Sequence, residues 1–207
     1  MHVRIKICGI TNPADAEQAA TLGADMIGLN FYAKSPRCIA EATARSILQA
    51  LPSSVEPVAL FVNEPQAQQV AQSLNIRTVQ MHGDLPECLS IGTRWIPAFS
   101  VRDASSLQQI TSYLRSLVDA PAAILVDAHV PGQFGGTGQV APWHLLAGFD
   151  AGVPLILAGG LTPDNVAEAI RIVRPYAVDV ASGVESSPGK KDVDKMRRFI
   201  DAVRASS

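Results

Sequence analysis

Short, mostly β-branched apolar runs alternate with longer Ala-rich segments along the whole chain. Eight runs read as strands: 3–7, 25–31, 57–62, 78–81, 95–99, 123–126, 154–157 and 177–180. They are mostly apolar rather than strictly alternating, which is the pattern of parallel strands covered by helices. The segments between them carry helix punctuation. Asn12-Pro13 places a capping side chain before a proline at the first helical position, and Gly23 sits just past the end. Thr162-Pro163 repeats that start signal, Pro175 follows the end of that helix, and Asn63-Glu64-Pro65 gives a third start. The segment after the fourth strand is the weakest, and 84–90 predicts no more than a turn of helix.

Eight strands in strict alternation with about eight helices, in 207 residues and without a Pro/Gly/Ser-rich linker, predict an α/β fold. The expected form is a single-domain (β/α)8 TIM barrel over residues 1–207, with a flavodoxin-like open sheet as the structural alternative. In such a barrel the chemistry sits at the C-terminal ends of the strands. Those ends carry Cys8-Gly9, then Asn30 with Ser35-Pro36-Arg37, Asn63-Glu64 and His82-Gly83-Asp84. They continue with Asp127 before Gly135-Gly136-Thr137-Gly138, then Ala158-Gly159-Gly160-Leu161 and Ala181-Ser182-Gly183.

Composition narrows the partners. Hydrophobic residues make up 47% of the chain, enough for a substantial core, and the net charge of -2 offers no basic stripe for nucleic acid. No apolar run reaches the length of a membrane span, and MHVRIKICGIT is too short and too charged for a signal peptide. Cys8, Cys38 and Cys88 are odd in number and far apart, which argues against disulfides or zinc. His2, His129 and His144 form no metal-ligand spacing, so no metal is expected. The expectation is a soluble cytoplasmic protein with a small-molecule partner, and a monomer rather than a homodimer, since no long exposed apolar element stands out.

The glycine-bearing loops point to a phosphate. Glycine lets backbone amides approach an anion closely. Gly136, Gly138, Gly159, Gly160, Ser182 and Gly183 are the predicted phosphate cradle, with about one turn of helix over 184–187 before Pro188-Gly189. The loop after the third strand has no glycine, so a single phosphate is expected. Cys8 and Asp127 end strands that lie nearly across the mouth. A thiol and a carboxyl flanking a small ligand suit an isomerase that moves protons. Taken alone, Cys8 also fits a buried small hydrophobe, and Asp127 a cap or loop hydrogen bond. His82 reads as a positioning hydrogen bonder. Arg37 is either solvated or grips a substrate carboxylate in a bidentate manner. Alternation and closure predict that Lys6 and Asp179 point inward and pair, with Lys6 close enough to stabilise a Cys8 thiolate.

Lys6-Ile7-Cys8-Gly9-Ile10-Thr11, Ser35-Pro36-Arg37, Gln80-Met81-His82-Gly83, Gly135-Gly136-Thr137-Gly138, Ala158-Gly159-Gly160-Leu161 and Ser182-Gly183-Val184-Glu185 with Pro188-Gly189 occur in this order. Together they resemble the motif set of the phosphoribosylanthranilate isomerase family, over the whole chain. The resemblance implies an isomerase of tryptophan biosynthesis that performs an Amadori rearrangement of N-(5-phosphoribosyl)anthranilate without a cofactor. It implies Cys8 as general base, Asp127 as general acid and Arg37 as the group holding the anthranilate carboxylate. Ala181, Met81 and the stretch Gln139-Val140-Ala141-Pro142-Trp143 depart from the usual family pattern, which touches only fine phosphate contacts. The rivals are a histidine-pathway type of sugar-phosphate isomerase and a non-catalytic barrel that binds a sugar phosphate. An aspartate in place of Cys8 and a second phosphate loop would mark the first.

Overall fold

A computed structural model describes residues 2–85, 92–127 and 143–206 of the chain. Eight parallel strands close into a barrel in sequence order: β1 (Arg4–Cys8), β2 (Met26–Asn30), β3 (Glu56–Val62), β4 (Thr78–His82), β5 (Arg94–Ser100), β6 (Ile124–Asp127), β7 (Leu155–Ala158) and β8 (Ala177–Val180). The helices between them are α1 (Pro13–Leu22), α2 (Glu41–Ala50), α3 (Ala67–Ser73), α4 (Ala104–Ser116), α5 (Trp143–Leu146), α6 (Val166–Val173) and α7 (Val193–Ala205). The barrel replaces the open-sheet alternative, because β8 pairs back onto β1 through Arg4–Ala177 to Ile7–Val180. The turn of helix expected over 84–90 lies largely outside the described residues.

Local chemistry explains the elements. Asn12 Oδ1 accepts from the Asp15 N–H at 2.9 Å, Pro13 opens α1, and Gly23 at φ +101° ends it. The Thr162-Pro163 signal starts its helix later than expected. Asn165 turns its side chain back to accept from Thr162 N at 2.8 Å, and α6 begins at Val166. The Asn63-Glu64-Pro65 signal is similarly early, since α3 begins at Ala67.

Period two divides each strand between two cores. Ile5, Ile7, Ile27, Leu29, Ala59 and Phe61 face outward to the helices. Met26, Val58, Ile96, Leu125 and Ile156 fill the barrel interior. The interior is not wholly aliphatic: Lys6, Gln80 and Asp179 are buried there as well. These polar groups need internal partners, and the partners form the floor of the site at the open end.

The segment after β8 differs from the expected turn of helix. A 3-10 turn over Ser182–Val184 leads into a small hairpin, β9 (Glu185–Ser187) paired with β10 (Lys190–Lys191). Pro188-Gly189, with Gly189 at φ +81°, closes it. A hairpin turn reverses the chain where a helix would carry it onward, and Asp192 N then donates to Val184 O at 2.9 Å.

Candidate active site

Cys8 is the last residue of β1 and shares the inward face with Lys6. Its side chain is buried against β2, where Gly28 stands opposite in register. A Cβ at Gly28 would lie 2.6 Å from Cys8 Sγ, so only glycine leaves room for the thiol in this orientation. Lys6 Nζ donates to Asp179 Oδ1 at 2.9 Å, with the lysine side chain fully buried. This is the pair that alternation and closure predict. Burial and the Asp179 carboxylate push the Cys8 thiol up from its ordinary 9.0, while Lys6 and Lys191 pull it down without overcoming them. The thiol is therefore the resting form at neutral pH, with two ammonium groups in place to receive negative charge.

Arg37 and Lys191 meet on one carboxylate. Arg37 Nε donates to Glu185 Oε1 at 2.8 Å and its second terminal nitrogen donates to Oε2 at 2.6 Å. Lys191 Nζ donates to Glu185 Oε1 at 2.9 Å, to Cys8 O at 2.6 Å and to Ala181 O at 3.1 Å. Arg37 thus stands beside the site, as its loop position suggests, but with part of its fork already engaged. Burial pushes the Glu185 carboxyl up, yet hydrogen bonds from Arg37 and Lys191 outweigh it and hold the group below its ordinary value. Gly9 at φ +73° makes room for the stem of Arg37, since a Cβ there would collide with Arg37 Cδ. Lys191 and the role of Glu185 were not evident from the sequence. The usable signal was Pro188-Gly189 between Glu185-Ser186-Ser187 and Lys190-Lys191, which is a hairpin signature.

His82 ends β4 on the same face as Gln80. The Gln80 side-chain amide lies 2.8 Å from His82 Nε2, so the two side chains are hydrogen-bonded to each other, with the donor set by the ring tautomer. Burial and Lys6 push the His82 ring below its ordinary 6.5, against the opposing pull of Asp179 and Asp127. His82 therefore senses both Asp179 and Asp127 across the barrel. Asp127 ends β6, half-buried, with its backbone tied to β5 and β7 through Ser100 and Ala158. By period two it shares the inward face with Leu125.

The loops after β7 and β8 touch. A Cβ on Gly183 would collide with Leu161 O, and Asn165 Nδ2 donates to Gly160 O at 3.0 Å. Gly159, Gly160, Ser182 and Gly183 are thereby brought together at one side of the mouth. Gly136 and Gly138 lie outside the described residues. Among the described residues no group of three or more His, Cys, Asp or Glu side chains could hold a metal ion. None of the described helices is long and apolar enough to cross a membrane.

A sequence profile of the family described as N-(5'phosphoribosyl)anthranilate (PRA) isomerase matches residues 5–202. A relative from Trichlorobacter lovleyi, named N-(5'-phosphoribosyl)anthranilate isomerase, is 48% identical over 203 residues, covering 96% of each chain. The crystal structure of phosphoribosyl anthranilate isomerase from Thermotoga maritima superposes with a TM-score of 0.88 at 38% identity, covering 98% of this chain and 99% of that one. A crystal structure of a phosphoribosyl anthranilate isomerase in complex with reduced 1-(o-carboxyphenylamino)-1-deoxyribulose 5-phosphate gives a TM-score of 0.82 at 37% identity with the same coverage. Fold, motif order and sequence agree along nearly the whole length: this chain belongs to the N-(5'-phosphoribosyl)anthranilate isomerase family of tryptophan biosynthesis.

Proposed function

We propose that the protein, acting as one barrel domain over residues 1–207, converts N-(5'-phosphoribosyl)anthranilate to 1-(o-carboxyphenylamino)-1-deoxyribulose 5-phosphate, with Asp127 as general acid and Cys8 as general base. Asp127 gives its proton to the furanose ring oxygen. The C1–O bond breaks and the anthranilate nitrogen's lone pair forms a C1=N bond. Cys8, as thiolate, then takes the C2 proton. Those electrons form C1=C2 and return the pair to nitrogen, and the enolamine tautomerises to the C2 ketone as C1 gains a proton. No cofactor enters this scheme, because the substrate's own nitrogen is the electron sink.

The observation that carries this reading is the setting of Cys8. A merely structural buried thiol needs no cations, yet Lys191 Nζ donates to the Cys8 carbonyl at 2.6 Å and Lys6 is buried two residues before it on the same inward face. The phosphate is assigned to the backbone near Gly159, Gly160, Ser182 and Gly183, where the β7 and β8 loops meet. Arg37 is assigned to the anthranilate carboxylate, and neutral His82 to positioning. Competition titration with the reduced product analogue tests the site as a whole. The analogue should bind and displace substrate in proportion. Failure to bind it at concentrations that saturate the substrate would contradict the reading.

Two kinetic outcomes follow. Arg37→Ala should chiefly raise KM, because the carboxylate is held alike in ground and transition states. A large loss of kcat with KM unchanged would contradict that role. For pH, a base whose pKa is raised must lose its proton before it works. The fraction of thiolate should therefore rise by about tenfold per pH unit on the alkaline side of neutrality, and with it the residual kcat/KM of Asp127→Asn, which carries no titrating acid. His82, shifted below 6.5, titrates outside this window. A flat residual kcat/KM of Asp127→Asn between about pH 7 and pH 8.5 would exclude a resting thiol as the base.

A further inference from the structure

We propose that Glu185 is a positioning residue, resting on the isomerase reading above, which fixes the edge of Arg37 that meets the substrate and so selects a ligand bearing an aryl carboxylate. A guanidinium carries five N–H donors and offers two bidentate edges. Glu185 takes the side edge, through Nε and one terminal nitrogen. The end edge, with the remaining N–H groups of both terminal nitrogens, is the one that stays suited to a second carboxylate. Lys191 cannot compete for that ligand, since its three donors are directed to Glu185, Cys8 O and Ala181 O. The cluster holds two cations, Arg37 and Lys191, around one carboxylate, so it still favours one more anion.

Glu185 is itself anchored from several directions. Lys195 Nζ donates to its backbone carbonyl at 2.7 Å, and the neighbouring Lys191 N–H donates to Asp15 Oδ2 at 3.0 Å, which ties the hairpin to α1. Its side chain is 4% exposed against 21% for Arg37, so the arginine is the member of the pair that a ligand can reach. Glu185 directly follows the Ser182–Val184 turn assigned to phosphate. The carboxylate end and the phosphate end of the ligand are thus referenced to one short segment.

The test compares steady-state kinetics and ligand binding of Glu185→Gln and Glu185→Asp in the full chain. Freeing the guanidinium should raise KM by about 10–100-fold, the worth of a hydrogen bond to a charged group, with most of the loss in KM rather than kcat. Glu185→Asp keeps the charge and should recover part of the loss. The affinity for inorganic phosphate should not change, and Glu185→Gln should add nothing in an Arg37→Ala background. An unchanged KM, or equal losses for phosphate and for the reduced product analogue, would overturn the proposal. Should Glu185→Gln alone fail to fold with Lys191 left buried, Glu185→Gln with Lys191→Met carries the same comparison. Wild-type protein that does not turn over phosphoribosylanthranilate would sink the isomerase reading instead.

Discussion

Cys8→Ala and Asp127→Asn are each expected to lower turnover by about 10²–10⁴-fold, with substrate affinity little changed. In the proposed reaction each group moves a proton only in the transition state, so its loss should appear in kcat rather than in KM. The two failures should differ in kind. Without an acid at Asp127 the furanose stays closed. Without a base at Cys8 the ring opens but the C2 proton stays in place. Cys8→Ser should also be poor, because a hydroxyl offers almost no anion at neutral pH even between two ammonium groups. The Gly28 wall that fits the sulfur is left with a smaller atom to hold. Steady-state kinetics on the three folded variants check this. Near-wild-type turnover of Cys8→Ala would reduce the thiol to packing.

Breaking the Lys6–Asp179 pair should cost about 3–5 kcal/mol of stability, because either single change strands a charge inside the barrel. Lys6 has no exposed surface, and its ammonium lies 2.9 Å from Asp179 Oδ1. Burial alone would depress its pKa, but Asp179 and Cys8 together outweigh burial and raise it above its ordinary 10.5. A raised lysine contributes stability that is fully present below its unfolded value near 10.5 and is lost as pH climbs through the folded value. The pair therefore supports the barrel throughout the neutral range. Denaturant unfolding of Lys6→Met, Asp179→Asn and the double variant gives the comparison. The double variant should recover part of the single losses, since it leaves no lone charge. Singles within about 1 kcal/mol of wild type would show that water reaches the pair.

The parts legible in the sequence were those governed by local periodicity. Apolar runs of four to seven residues marked every strand, and 177–180 matches β8 end to end. Most other bounds moved by a residue because polar residues still complete the ladder. Cys8 pairs with Gly28 and Asp127 with Ala158, so both belong to strands that an apolar pattern alone would stop one residue short. Lys6 and Asp179 were legible for a related reason, since alternation fixes their direction and closure makes their strands neighbours. The Arg37–Glu185–Lys191 cluster was not. Arg37 and Glu185 are 148 positions apart and meet through two loops whose shape no periodicity encodes. No sequence pattern marks Lys191, and its burial follows only from the hairpin that turns it beneath Cys8. The motif order supplied what spacing could not, by keeping Glu185 within a recognisable set without revealing what it holds.

The most direct measurement is the loss of phosphoribosylanthranilate fluorescence on adding the purified protein, with the product identified by chromatography. The account predicts rapid wild-type conversion to the carboxyphenylamino-deoxyribulose phosphate, slowed by about 10²–10⁴-fold in Cys8→Ala. Binding of the substrate without conversion, or equal conversion by the Cys8→Ala protein, would contradict it.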